Sequence, residues 1–217
     1  MTRIYFIRHC EAAGNALRIF QGSTDCDITE TGAKQLEFLS KRFKDIPLDA
    51  VYSSPLKRAR LTAEAIAGAG ALPITIHNDL RELHGGIVEG KTFSEGLNKY
   101  PELRDAWTNH PQDFAPEGGE SMRDAYSRII KATTEIAKEN IGKTVAIAAH
   151  GGVLRCLFCF FLHGTIEKLG ECPFINNTAV SLVEFDDELN HKIIFFNDST
   201  HVPEEYMPNH SRIVAKV

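Results

Sequence analysis

No stretch of this 217-residue chain approaches the apolar length of a membrane span. No charged-then-apolar leader precedes Ile4, where strand-like residues begin. These two lacks lead to the expectation of a cytoplasmic enzyme or binding protein with no membrane partner. An excess of positive charge is also missing: 24 Lys and Arg stand against 29 Asp and Glu, a formal net charge of -5. A phosphate backbone selects basic faces, so nucleic acid is not the expected partner. Cysteine is scarce and odd in number, with five in the chain. Without a secretion signal, that count reads as reduced thiols. Cys156 and Cys159 form a C-x-x-C, but no second pair of ligands follows at matching spacing. Both lie in the apolar run Val153 to Leu162, three apart on a helix, and read as small buried thiols rather than a zinc or redox pair. There is no H-E-x-x-H and no Asp-rich loop, so no metal site and no cofactor are expected. Internal repeats, low-complexity segments and linkers are absent as well, which leaves one domain over residues 1–217.

What is present is an ordinary globular composition, 43% hydrophobic and 24% charged, on a chain long enough for a sizeable core. Ile4-Tyr5-Phe6-Ile7 is a continuous apolar run that ends at once in Arg8-His9, the pattern of a buried parallel strand. Short strands also read at Leu48 to Tyr52, Pro73 to Ile76, Lys143 to Ala149, Ala179 to Phe185 and Lys192 to Phe196, the last two as a hairpin. Helical spacing reads from an N-cap at Thr29 to about Lys44, from Leu56 to Ala67 with a stop in Gly68-Ala69-Gly70, from about Ser121 to Asn140, and from Val153 to Leu162. The irregular stretch 91–119, with the single Trp107 and three Pro, reads as a helical excursion over the sheet edge. Strands alternating with helices predict an α/β fold: a three-layer α/β/α domain with a mostly parallel central sheet.

Three strand ends carry similar chemistry. The first ends in Arg8-His9, the second leads into Arg58 on the first turn of a helix, and the fourth ends in His150; Glu82 follows the third. In a doubly wound sheet all these tips face one crevice. Two Arg, two His and one Glu around a cleft suit a dianionic substrate, because guanidinium forks hold phosphate oxygens in pairs. A neutral imidazole can attack phosphorus and a carboxylic acid can protonate the leaving oxygen. The residues alone do not say which His attacks.

Six ordered motifs then carry a family resemblance over most of the chain. They are Arg8-His9-Cys10-Glu11 with Asn15, Gln21-Gly22 through Gly32, Ser53-Ser54-Pro55-Leu56 with Arg58-Ala59, Leu80-Arg81-Glu82 with Glu89-Gly90 and Thr92, Gly119-Glu120-Ser121, and Ala149-His150-Gly151-Gly152. Together they resemble the histidine phosphatase superfamily, the phosphoglycerate mutase-like group, in its phosphatase-type branch. The resemblance implies a phosphoric monoester hydrolase of the histidine acid phosphatase type, acting without metal on a small phosphorylated substrate. It implies that His9 is the nucleophile and forms a phosphohistidine. Arg8, Arg58 and His150 would bind the phosphoryl group, and Glu82 would act as general acid and then base. Asn15 and the Gly151 backbone would complete the phosphate pocket, and Gln21-Gly22 would line the substrate side. His201, in an N-D-x-x-H tail seen in phosphatase-type members, would close over the pocket as a further substrate-binding residue.

Two departures stand out. Cys10 occupies a position where the family usually has Gly, so a different local loop is expected. Ser23, Gly85 and Val88 stand at common aromatic positions, so a pocket poor in aromatics is expected. The other histidines, His77, His84, His110, His163, His191 and His210, read as surface or loop residues. The alternatives are a cofactor-dependent phosphoglycerate mutase and a non-catalytic phospholigand-binding module. The mutase reading lacks an Arg-Arg pair after the acid, where only Arg104 occurs. The last strands offer an edge for a homodimer.

Overall fold

The computed structural model describes residues 1–68 and 72–207. In order, these form β1 (Thr2–Arg8), α1 (Ala13–Ala16), α2 (Glu30–Phe43), β2 (Ala50–Ser53), α3 (Lys57–Ala67), β3 (Ile74–Ile76), α4 (Phe93–Lys99), α5 (Pro101–Asn109), α6 (Met122–Glu139), β4 (Thr144–Ala149), α7 (Gly151–His163), β5 (Val180–Phe185) and β6 (His191–Asp198). The six strands make one sheet in the order β3-β2-β4-β1-β5-β6. The first four in that order run parallel, and β5 and β6 add antiparallel pairs. This is the expected α/β architecture as a single domain. Among the described residues no helix is long and apolar enough to cross a membrane.

Alternation along the strands divides the core into two layers. Ile4 and Phe6 of β1, with Val145, Ile147 and Ala149 of β4, face the larger cluster under α6 and α7. Ile7 of β1, with Ala146 and Ala148 of β4, faces the smaller cluster under α2 and α3. A parallel strand covered on both faces needs apolar residues at every position, which is why both runs lack polar breaks. The register sets Arg8 opposite Ala149 and Ser53 opposite Ala148, so the tips of β1, β4 and β2 finish level at one edge.

Helix starts follow capping chemistry. Thr29 Oγ1 accepts the Gly32 amide at 3.0 Å and opens α2 as expected. The expected stop of α3 is met in part: Gly68 follows the helix with φ 67°, while Ala69 and Gly70 lie outside the described residues. Helix α7 begins at Gly151, two residues before the expected Val153. Glycine is a poor helix former, so the pattern hides this first turn. Its amides are satisfied by Glu82, whose carboxylate accepts from Gly152 N at 2.9 Å and Val153 N at 3.1 Å. The stretch 91–119 holds two helices, α4 and α5, and a short turn at 111–113.

Candidate active site

The level strand tips border a cleft of about 390 Å³. His9 follows β1 and is 2% exposed. Its Nδ1 lies 2.6 Å from the Cys10 carbonyl oxygen. A carbonyl only accepts, so Nδ1 carries the proton and Nε2 keeps its lone pair. Asn177 Nδ2 donates to His9 O at 2.9 Å and fixes the backbone beneath the ring. Burial, then the Arg58 and Arg8 charges, hold the His9 pKa well below the ordinary imidazole value. The ring is therefore neutral near pH 7.

Two guanidiniums flank it. Arg8 Nη1 donates to Ile175 O. Gly151 lets this side chain lie on the start of α7, since a Cβ there would stand 3.1 Å from Arg8 Nε. Burial lowers the Arg8 pKa to about 10, with the Glu82 charge opposing the shift. Arg58 is fully buried, and its Nη1 donates to Thr24 O at 2.8 Å. Its Nη2 donates to Gln21 O at 2.8 Å and Gly22 O at 3.0 Å, so one side chain shapes the loop that lines the substrate side. Burial lowers its pKa as well.

His150 is fully buried behind His9, with ring centroids 5.1 Å apart. Its Nε2 lies 2.7 Å from Ser54 Oγ, which also accepts the Leu56 amide at 3.2 Å. Burial, then Arg58 and His9, hold its pKa well below the usual value. Glu82 accepts a third amide, Leu83 N, at 3.0 Å. Gly152 makes room for it: a Cβ there would meet Glu82 Oε1 at 2.7 Å. Gln21 is 8% exposed, and neither atom of its amide has a hydrogen-bond partner. Asn15 lines the cleft and accepts the Ala12 amide on Oδ1 at 3.0 Å.

The structure thus brings His9, Arg8, Arg58, Glu82, Asn15, Gln21, Gly22 and Gly151 to one cleft, with His150 against His9. It does not bring His201 there. That ring bonds Arg42 Nη1 through Nδ1 at 3.0 Å, beside the Arg42–Asp198 pair at 2.7 Å. The tail pairs with the end of α2 because Arg42 offers it a cation. The expectation of few aromatics also fails: Phe20, Phe93, Trp107 and Phe174 line the cleft. Phe20 directly precedes the Gln21-Gly22 motif, and the other three arrive from α4, α5 and the segment before β5, none of them at a motif position.

Cys10 is not among the residues with positive φ, so a side chain is carried there without left-handed strain. Its amide donates to Thr62 Oγ1 at 3.0 Å, and burial pushes its thiol up to about 11. Cys156 Sγ meets Met122 Sδ at 3.4 Å and Cys159 Sγ donates to Thr165 O at 3.2 Å, as packing thiols do. Among the described residues no group of three or more His, Cys, Asp or Glu side chains could hold a metal ion. His191 packs against Phe161 at 4.7 Å instead of lying free on the surface. His210 lies outside the described residues. Sequence reasoning missed the partners Ser54, Ile175 and Asn177; the polar run Asn176-Asn177-Thr178 just before an apolar strand was the available signal.

The chain is similar to known proteins in sequence and in fold. The chain is 30% identical to phosphoserine phosphatase 1 of Hydrogenobacter thermophilus, over 98% of this chain and all of that protein. It is 35% identical to a metal-independent phosphoserine phosphatase of Arabidopsis thaliana, over 87% of this chain and 78% of that one. Among solved structures, Bacillus stearothermophilus YhfR superposes with a TM-score of 0.88 at 33% identity, covering 93% of this chain and 99% of its own. The family model for branch 1 of the histidine phosphatase superfamily matches residues 4–198, and the chain belongs to that superfamily.

Proposed function

We propose that this chain is a metal-independent phosphatase that hydrolyses a small phosphomonoester in two displacements at His9. One observation carries the reading. Arg8 Nε, Arg58 Nε, His150 Nδ1 and both amide atoms of Gln21 are buried with no hydrogen-bond partner. A buried polar group left unmade costs about 1–3 kcal/mol. Several of them in the residues around one cleft mark a place that a ligand completes, and the nitrogens among them, as N–H donors, suit the oxygens of a phosphoryl group.

In the first step His9 Nε2 attacks phosphorus, the N–P bond forms and the bond to the leaving oxygen breaks. Glu82, as the carboxylic acid, gives its proton to that oxygen, and the alcohol departs. The three amides occupy three of the roughly four lone-pair sites of the carboxyl group, which leaves one for the proton. In the second step the Glu82 carboxylate takes a proton from water, the water oxygen attacks phosphorus and the N–P bond breaks. Inorganic phosphate leaves and His9 is restored. With Ser54 Oγ donating to His150 Nε2, Nδ1 carries the proton and donates to the phosphoryl oxygens. Arg8 and Arg58 supply the positive charge.

Two relatives are named phosphoserine phosphatases, so phosphoserine is the first ester to assay. The test is phosphate release from a panel of phosphomonoesters in EDTA, wild type against His9→Ala. Release that survives EDTA and vanishes in the variant supports the reading. Interconversion of 2- and 3-phosphoglycerate without net release would replace it with a mutase.

A further inference from the structure

The chemistry above says what holds the phosphoryl group and nothing about what leaves. Resting on that phosphatase reading, we propose that the free side of the Phe174 ring is a stacking subsite for a planar apolar ring on the leaving group. The substrates this cleft favours are then ring-bearing phosphomonoesters.

Phe174 is the one aromatic among the exposed large hydrophobic residues described, at 55% exposure, and it lines the cleft. One face of its ring is taken: the Arg155 guanidinium lies 4.3 Å from the centroid. Arg155 is itself fixed and only 9% exposed. Its Nε donates to Cys172 O and its Nη2 to Leu169 O, each at 2.8 Å. Ile175 O, one residue past the ring, accepts from Arg8. The same short segment therefore anchors a phosphate-binding guanidinium and presents the ring, which sets the spacing between the two subsites.

Trp107 flanks the ring with centroids 6.4 Å apart and planes tilted by 33°. It is braced from behind by Phe93 at 5.4 Å and Phe114 at 5.0 Å. Offset aromatic pairs gain from this kind of rigid platform. Charge at this end is sparse. Among the described residues, the ionisable side chains lining the cleft are Arg8, His9, Arg58, Glu82 and Arg18. Among the described residues that line the cleft the one carboxylate is Glu82, and three amides already take three of its lone-pair sites, which leaves little for an ammonium group.

The experiment compares ethyl phosphate, 2-phenylethyl phosphate and phosphoserine in wild type, Phe174→Ala and Phe174→Trp, with His9→Ala as control. The first two esters release primary alkoxides of one class, so their ratio isolates the ring. We expect kcat/KM for 2-phenylethyl phosphate to exceed that for ethyl phosphate by about tenfold or more, the scale of an apolar group filling a pocket. Phe174→Ala should collapse that ratio to within about twofold, while Phe174→Trp should keep it, since an indole offers the same stacking face. A wild-type ratio near one, or a ratio indifferent to Phe174→Ala, overturns the subsite. So does a preference for phosphoserine that Phe174→Ala removes, because the ring would then be serving an ammonium group. Release that continues in His9→Ala sinks the reading of two displacements at His9 instead and is read from the control alone. If no ester turns over, binding of benzylphosphonate against methylphosphonate yields the same ratio.

Discussion

His9 and His201 are both histidines packed beside arginine, and both have pKa values pushed down by burial first and arginine charge second. Their surroundings differ in one respect. At His201 the Arg42 guanidinium is matched by Asp198, with Nη2 at 2.7 Å from the carboxylate and Nη1 shared between Asp198 O and the ring. At His9, among the described residues, neither Arg8 nor Arg58 forms an ion pair with a carboxylate side chain; each donates to backbone carbonyls and keeps a buried Nε without a partner there. The first cluster is a closed structural tie with one spare atom, His201 Nε2. The second is a cationic cradle facing a cleft. Residue type alone does not separate them; the charge left unmatched does.

That comparison breaks most visibly at the nucleophile. His9→Ala should lower kcat by about 10⁴-fold or more, the scale of losing an attacking group, with an unchanged far-ultraviolet spectrum. Next in size, Arg58→Met should lower kcat/KM by about 10²- to 10³-fold, as loss of one preorganised charge in a dry site does. Comparable activity in that variant would mean the guanidinium serves only the Gln21–Thr24 loop.

The pH dependence sharpens the contrast further. His9 is held neutral well below its ordinary pKa, so kcat/KM should not fall with an inflection near pH 6.5, the unperturbed value. Such an inflection in the wild type, beyond the one due to the substrate's own phosphate ionisation, would contradict the account. Stability behaves differently. His9, His150 and His201 all have folded pKa values below the unfolded one, the last at about 4. The unfolded chain then binds more protons below about pH 6.5, so stability is full above that pH and is lost as pH falls toward the folded values. Urea midpoints from pH 7.5 down to 5 would show the decline.

The smallest effect belongs to the closed tie. His201→Ala should leave kcat/KM within about threefold, and should remove about 1 kcal/mol of stability as one hydrogen bond is lost. A loss of activity far above that would return His201 to the substrate, where the tail motif first put it.

These cases explain what could be read from the chain. Strand tips were legible because the runs Ile4 to Ile7 and Val145 to Ala149 end directly in Arg8-His9 and His150-Gly151, and a buried strand leaves its first polar residues at the edge. The partners of those side chains were not legible. Ile175 O and Ser54 Oγ reach Arg8 and His150 across 167 and 96 residues, a product of packing that no local period records. His201 sits in a recognisable tail pattern, yet Arg42 of α2 decides where its ring goes. The aromatic wall was hidden for the same reason, since Phe93, Trp107 and Phe174 come from three separate segments.

The most direct measurement is to quench the enzyme during turnover of a phosphomonoester and locate the trapped phosphoryl group by peptide mass spectrometry. The account predicts one acid-labile, alkali-stable phosphoryl group on His9, accumulating further in Glu82→Gln with a nitrophenyl phosphate, whose leaving oxygen departs without a proton while water activation fails. Turnover with no phosphoenzyme, or with the group on any other residue, would contradict it.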